Sequence, residues 1–313
     1  MSTVVVQLRL LGYVRRMRVY LREMYPIPAR LGSAVLLPVS FFVTLGRTQR
    51  LSIALFSPLT LLGIWNVFAV GLMLRLMDEL KDTDIDRQLF AHRPVPAGRV
   101  AQSDIRRTLI AVCTAFLAAN LVAGPAVWMA VLVLGYALLM YRYFFAPQLL
   151  QRFLLLNLAT HNPIVALLLL DLVVLFAAAY DVAVLPLLGG MAIKLLAVYW
   201  ALMFSWEIAR KIRASREENE YVTYSRLLGR KVAVLLAAGV QTLAFAAGLY
   251  LCGALASIWP YAVIAGAGYV NLMYEYAHFV MRNASSAHIK RYCEAFIASV
   301  WFALLVTMLF WTG

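Results

Sequence analysis

Charge is what this sequence has least of. Only 14% of its 313 residues are Asp, Glu, Lys or Arg, against 64% apolar. A soluble domain carries about 25% charged and roughly 45–50% apolar residues, so a water-soluble globular chain is excluded. Cysteine is nearly absent. Cys113, Cys252 and Cys293 have no ligand-like spacing, and no disulfide framework or zinc site is readable. No Pro-, Ser- or Gly-rich linker divides the chain, so residues 1–313 are expected to form a single domain. A cleavable signal peptide is not expected either, because the first apolar stretch is short and its arginines follow it. Negative charge is the scarcer sign, with 15 Asp and Glu against 28 Lys and Arg, a net +13. Such an excess could suit nucleic acid. The cations, however, sit in short loops between apolar runs, and no nucleic-acid partner is expected.

What the chain has in quantity is long apolar runs. A membrane helix needs about 20 such residues. Nine runs qualify, at 31–46, 51–76, 104–122, 125–141, 163–180, 185–206, 231–254, 258–281 and 293–311. The expected fold is an all-α membrane protein of nine transmembrane helices in a single bundle, enclosing a lipid-accessible cavity. With the N-terminus in the cytoplasm of the cell's inner membrane, nine crossings put all Lys and Arg on the inner side except Arg47, Arg50 and Lys194. That asymmetry obeys the positive-inside rule. Residues 1–30 form a basic N-terminal arm. Arg9, Arg15, Arg16, Arg18 and Arg22 alternate there with Leu, Tyr, Val and Met. The arm reads either as an amphipathic helix on the anionic leaflet or as a topogenic signal.

Two polar loops stand out on the inner side. The first begins Asp78-Glu79-Leu80-Lys81-Asp82-Thr83-Asp84-Ile85-Asp86 and continues as His92-Arg93-Pro94-Val95-Pro96-Ala97-Gly98-Arg99. Asp78, Asp82 and Asp86 recur at i, i+4, i+8 and share one face of a helix; Glu79 joins that face. Such crowded carboxylates call for a neutralising cation. A hard one such as Mg2+ leaves coordination positions open for diphosphate oxygens. The second loop, 204–230, sets Glu207, Arg210 and Lys211 at i, i+3, i+4. One carboxylate there can add to a metal site and the cations can hold phosphate. The alternative for each loop is a solvated or topogenic helix end.

These motifs resemble the UbiA superfamily of intramembrane prenyltransferases, whose polar motifs follow the second and sixth of nine helices. The family's Asn-Asp-x-x-Asp-x-x-x-Asp falls without gaps on Asp78, Glu79, Asp82 and Asp86. Residues His92–Arg99 are similar to its His-Arg-Pro-Ile-Pro-Ser-Gly-Arg run. Asp78 stands where Asn is usual and Glu79 where Asp is usual, and both keep oxygen ligands. The second loop departs further, with Glu207 followed by Arg210, Lys211 and Arg213 in place of a second Asp-rich stretch. Glu217, Glu218 and Glu220 come later and could substitute. The resemblance implies a prenyltransferase moving an isoprenyl group from a polyprenyl diphosphate to an aromatic or other small acceptor. Mg2+ would be held by Asp78, Glu79, Asp82, Asp86 and Glu207. Asp82, Asp86, Glu207 and Arg93 would be catalytic. Arg210, Lys211, Arg142, Arg152, Asn157 and His161 would bind substrate.

Several polar residues lie within the spans themselves. Asp171 interrupts a leucine run, where a carboxylate is costly and functional by default. It serves the acceptor as an orienting group or base, pairs with Lys194, or sits at a more superficial position on the outer side. Asn157, His161 and Asn162 either line an acceptor pocket or cap a helix. Glu275 and His278, beside Tyr274 and Tyr276, suit a structural network as well as a catalytic one. Asn66 points to the cavity or to a neighbouring helix. Two other functions compete: a terpene cyclase on the same scaffold, and a transporter or permease. A transporter predicts inverted repeats and helices broken at mid-membrane, and no repeat is visible.

Overall fold

A computed structural model describes residues 3–310 apart from Asn219, Tyr221 and Asn283. Met1 and Ser2 of the N-terminal arm, and Asn219 and Tyr221 of the second loop, therefore lie outside the described residues. Every regular element among those described is helical. Seven helical stretches are long and apolar enough to cross a membrane by length and composition. The sequence pattern gives nine, and two features account for the difference. The third and fourth apolar runs fall in one 40-residue stretch, Gln102–Tyr141. Ile258–Arg282, punctuated by Tyr, Gly, Asn and Glu275, is not among the seven although it is 25 residues long.

The chain forms two compact units. The first comprises Met1–Ala34 and Trp65–Pro147. It holds helix α1 (Thr3–Met24), the start of α2 (Ile27–Thr48), most of α3 (Pro58–Lys81), the short α4 (Thr83–Leu89), α5 (Gln102–Asn120) and α6 (Val127–Tyr141). Its core residues on α3 are Ala69, Val70, Met73, Leu76 and Met77; α5 adds Ile105, Leu109 and Phe116. These spacings mark one apolar face of each helix. The α5–α6 break has a local cause: Gly124 takes a φ of 57° and Pro125 follows it, and neither continues an α-helix. Asn66 turns to a neighbouring helix. Its side-chain amide exchanges hydrogen bonds of 2.9 and 2.8 Å with that of Asn120, and both are buried. Paired amides satisfy each other where lipid cannot.

In α1, Met17 and Tyr20 are buried while Leu11, Val14, Arg15, Arg18 and Arg22 are exposed. The inward face is polar as well as apolar. Arg16 binds Asp104 of α5 at 2.6 and 3.0 Å, and the Tyr13 hydroxyl meets Thr108 at 2.7 Å. The Tyr25 hydroxyl donates to the carbonyl of Phe68 at 2.9 Å. The arm is thus fastened to its own unit through one face and carries its free arginines on the other.

The second unit comprises Val35–Ile64 and Gln148–Gly313. It contains most of α2 and the start of α3. After α7 (Pro147–Arg152) come α8 (Leu154–His161), α9 (Pro163–Tyr180), α10 (Gly190–Ala209), α11 (Tyr224–Leu228), α12 (Arg230–Leu255), α13 (Ile258–Arg282) and α14 (Ser286–Leu309). Aromatic side chains fill its interior: Phe42 meets Phe176 edge-on, and Phe41 meets Tyr199, whose hydroxyl pairs with Ser40 at 2.7 Å. Small residues allow close helix approach, as membrane bundles require. Gly248 of α12 lies directly against the buried Tyr261 of α13.

Candidate active site

The first polar loop lies wholly in the first unit. Helix α3 ends at Lys81 and α4 starts at Thr83, yet the backbone hydrogen-bond ladder continues. Asp82 N–H donates to Asp78, Asp86 N–H to Asp82 and Phe90 N–H to Asp86, at 2.9, 2.8 and 2.9 Å. The expected i, i+4, i+8 register of the three aspartates is therefore present in the backbone.

Their side chains meet groups of the protein. Asp78, half exposed, lies 3.3 Å from the Lys81 ammonium. Glu79 is buried, 2.6 Å from Arg75 and 3.5 Å from the Tyr20 hydroxyl. Asp82 accepts the Tyr143 hydroxyl at 2.7 Å, and Lys81 sits 4.4 Å over the same Tyr143 ring. Asp86 is buried and binds Arg93 at 2.7 Å, while the Arg93 guanidinium lies 3.9 Å over Phe90. Burial, helped by the negative charge of Asp78, pushes the Asp82 carboxyl above its ordinary range, and the Tyr143 hydrogen bond only partly offsets this.

The run after Arg93 folds back on itself. Ala97 N–H reaches the Arg93 carbonyl, and Arg99 and Val100 N–H both reach that of Pro94. Gly98, at φ 71°, takes the left-handed turn that the closure requires. Arg99 then clasps Glu23 of α1 and donates to the His92 carbonyl at 2.9 Å. Three consecutive non-glycine residues, Tyr143, Phe144 and Phe145, have φ of 49°, 49° and 60°. A left-handed residue with a Cβ costs roughly 1–2 kcal/mol. This strained turn is the one that carries the Tyr143 hydroxyl to Asp82.

The second loop lies wholly in the second unit. Glu207 takes Arg210 on both carboxylate oxygens, at 2.5 and 2.8 Å, and Lys211 at 3.3 Å. The predicted face of Glu207, Arg210 and Lys211 is therefore real. Beyond it the chain closes a loop: Tyr224 N–H donates to the Lys211 carbonyl at 3.1 Å, and Arg213 N–H to Ser225 Oγ at 2.8 Å. Glu217 accepts the Ser285 hydroxyl at 2.8 Å and Ser286 N–H at 3.0 Å, at the start of α14. Glu218 accepts the hydroxyls of Thr223 and Ser225.

The other expected residues are placed as follows. Arg142 and Arg152 are exposed, Arg142 in the first unit and Arg152 in the second. Asn157 donates to the Leu150 carbonyl at 3.3 Å, and His161 Nδ1 lies 2.9 Å from the Asn157 carbonyl, across one turn of α8. Asp171 is buried in the second unit, whereas Lys194 is exposed and donates to the Tyr250 hydroxyl at 3.0 Å. Glu275 lies between His288 at 3.3 Å and His278 at 3.8 Å. Arg75, Tyr20 and Tyr143 were missed in the sequence. Arg75 reads there as a span-edge charge, although its i, i+4 spacing to Glu79 was a usable signal. Nothing local marks Tyr143.

For Mg2+ the donor chemistry fits in kind: Asp78 and Asp82 offer hard carboxylate oxygens, and the charge of Asp78 acts on Asp82. Even so, among the described residues no three His, Cys, Asp or Glu side chains converge as a metal-binding set. The carboxylates close instead on Lys81, Arg75, Tyr143 and Arg93.

No protein-family model matches this chain, and no curated protein matches it. Solved structures do. An apo structure of a UbiA homolog from Aeropyrum pernix K1 is similar at a TM-score of 0.65 and 16% identity, over 88% of this chain and 98% of that one. A structure from work on the biosynthesis of digeranylgeranylglyceryl phosphate synthase in membranes is similar at a TM-score of 0.55 and 14% identity, over 94% and 99%.

Proposed function

We propose that this chain, which has the UbiA fold, is a Mg2+-dependent intramembrane prenyltransferase with nine spans and a cytoplasmic N-terminus. It transfers an isoprenyl group from a polyprenyl diphosphate to an aromatic or other small acceptor. The observation that carries this reading is the aspartate register at the end of α3, within that fold. The allylic C–O bond breaks with its electron pair leaving on the diphosphate. The acceptor attacks the allylic carbon and then loses a proton. Stabilising the departing anion is the dominant requirement. Asp78, Asp82 and Asp86 would hold Mg2+, which when bound supplies positive charge against the diphosphate. Arg93, beside Asp86 in the same unit, adds a charge-assisted hydrogen bond to a phosphate oxygen. Apolar helices hold the isoprenoid tail and keep water from the allylic cation.

The test is incubation of the purified protein with labelled diphosphates of several chain lengths, with and without candidate acceptors, followed by mass spectrometry. A prenylated acceptor is expected, lost in EDTA and restored by Mg2+. A cyclic hydrocarbon formed without acceptor would move the assignment to a cyclase. An unconsumed diphosphate would overturn both.

A further inference from the structure

We infer that Arg75 is a diphosphate-binding residue, the counterpart of Arg93, and that Glu79 serves as its strut rather than as a metal ligand. The inference deepens the proposed function and rests on it for the identity of the ligand.

A repeated arrangement is the first observation. Arg75 Nη2 donates to Glu79 at 2.6 Å, and Arg93 Nη1 donates to Asp86 at 2.7 Å. In both pairs the carboxylate is almost wholly covered, at 1% and 6% exposure, while the arginine side chain keeps 24% and 26%. Both pairs belong to the first unit. The charges of Asp86 and Arg93 act on Glu79 together with that of Arg75. The two pairs are thus parts of one electrostatic group, with Asp82 between them in the chain.

The place of Arg75 in its helix is the second observation. Counted from Arg75, the residues Asp78, Glu79, Asp82 and Asp86 fall at i+3, i+4, i+7 and i+11, the spacings of one helical stripe. Arg75 stands one turn before Glu79, about 6 Å deeper along the axis, within the apolar stretch Pro58–Lys81. A charge at such a depth is costly and functional by default. Neutralising Glu79 does not account for it, because apolar side chains of similar volume are often as stable as a buried ion pair. A guanidinium has further N–H donors, and among the described residues the one side-chain bond of Arg75 goes to Glu79. The buried Tyr20 hydroxyl lies 3.5 Å from the same Glu79 oxygen and steadies the strut from α1. The remaining fork of Arg75 suits phosphate oxygens. Standing on the apolar side of the aspartates, it acts nearest the oxygen that leaves the isoprenyl carbon.

The experiment is calorimetric titration of the purified full-length protein, in Mg2+, with isoprenyl S-thiolodiphosphates of several chain lengths. Sulfur replaces the bridging oxygen in these compounds, so the leaving bond breaks slowly. Wild type is expected to bind. Arg75→Gln should weaken binding about 10- to 150-fold, the equivalent of a charged hydrogen bond of ~1.5–3 kcal/mol. Arg75→Gln combined with Glu79→Gln leaves no buried carboxylate unpaired. It should fold, as read by circular dichroism, and bind as weakly as Arg75→Gln alone. Wild-type affinity in that double variant would mean that Arg75 only neutralises Glu79, and would overturn the inference. Glu79→Gln alone keeps the cation and should leave the Mg2+ concentration for half-maximal binding at its wild-type value. A shift of that midpoint as large as the one Asp82→Asn gives would make Glu79 a metal ligand and would also overturn it. Prenyl transfer measured on the same preparation separates the two readings. Transfer together with full affinity in the double variant refutes only the role of Arg75. Binding that depends on Arg75 without transfer refutes only the prenyltransferase. Wild type that binds no chain length overturns both.

Discussion

Replacing Arg93 with Met should open the turn that follows the first motif. Arg93 makes a 2.7 Å bond to Asp86, whose side chain is 6% exposed, while its own is 26% exposed. It also covers Phe90 at 3.9 Å. A hydrogen bond between charged groups contributes ~1.5–3 kcal/mol, and a cation–π contact at a partly exposed site about 0.5–1 kcal/mol. The substitution should therefore cost roughly 2–4 kcal/mol locally, or about 30- to 1,000-fold in the opening equilibrium. Hydrogen exchange at Ala97, Arg99 and Val100 reports that opening, because their amides bond to the Arg93 and Pro94 carbonyls. Asp86→Asn alone should also loosen the turn. The two substitutions together should cost less than their sum by roughly 1.5–3 kcal/mol, since neither charge is then left buried alone. Additive effects, agreeing to within about 0.5 kcal/mol, would refute the idea that Asp86 and Arg93 act as a pair.

A Cβ at Gly248 would lie 2.0 Å from the Tyr261 hydroxyl and 2.3 Å from Cζ. Gly248→Ala should cost about 1–3 kcal/mol in unfolding titrations, and Tyr261→Phe should restore little. Gly253→Ala on the same helix, with open space around it, should be neutral or stabilising by up to about 1 kcal/mol. Glu217 gives a pH test. Burial pushes its carboxyl up, but hydrogen bonds from Ser286 and Ser285 outweigh this and hold it below its ordinary value of 4.5. Because its folded value is depressed, its contribution is present above that ordinary value and is lost as pH falls through the lower folded one. Exchange protection of the Arg213, Glu217 and Tyr224 amides should therefore stay level down to about pH 5 and decline only below the ordinary value. Orientation is checked by single cysteines in intact cells: an impermeant thiol reagent should label one at Thr48 and spare those at Thr83 and Ser215.

The helices and the aspartate register were legible because both depend on local periodicity. Apolar runs report burial in lipid, and i, i+4 spacing reports a shared face whether or not α3 formally ends at Lys81. The face of Glu207, Arg210 and Lys211 was legible for the same reason. The partners of these residues were not. Tyr143 reaches Asp82 across 61 positions by way of three left-handed aromatic residues, and nothing in Tyr-Phe-Phe announces a positive φ. Glu217 reaches Ser285 across 68 positions, a pairing that no local pattern announces. Asn66 and Asn120 each read as an isolated polar residue, and only tertiary packing makes them a pair. The kinked stretch Gln102–Tyr141 shows the reverse, since the turn signal Gly124-Pro125 was plain while its effect on span counting was not.

The central claim is that the aspartates at the end of α3 drive ionisation of an allylic prenyl diphosphate. Release of inorganic diphosphate from such a substrate by the purified protein in lipid nanodiscs tests it most directly. With Mg2+ and an acceptor, wild type should release diphosphate steadily, and Asp82→Asn and Asp86→Asn, both folded, should each lose most of that rate. Undiminished release in the two variants, or none from wild type across the range of chain lengths, would contradict the account.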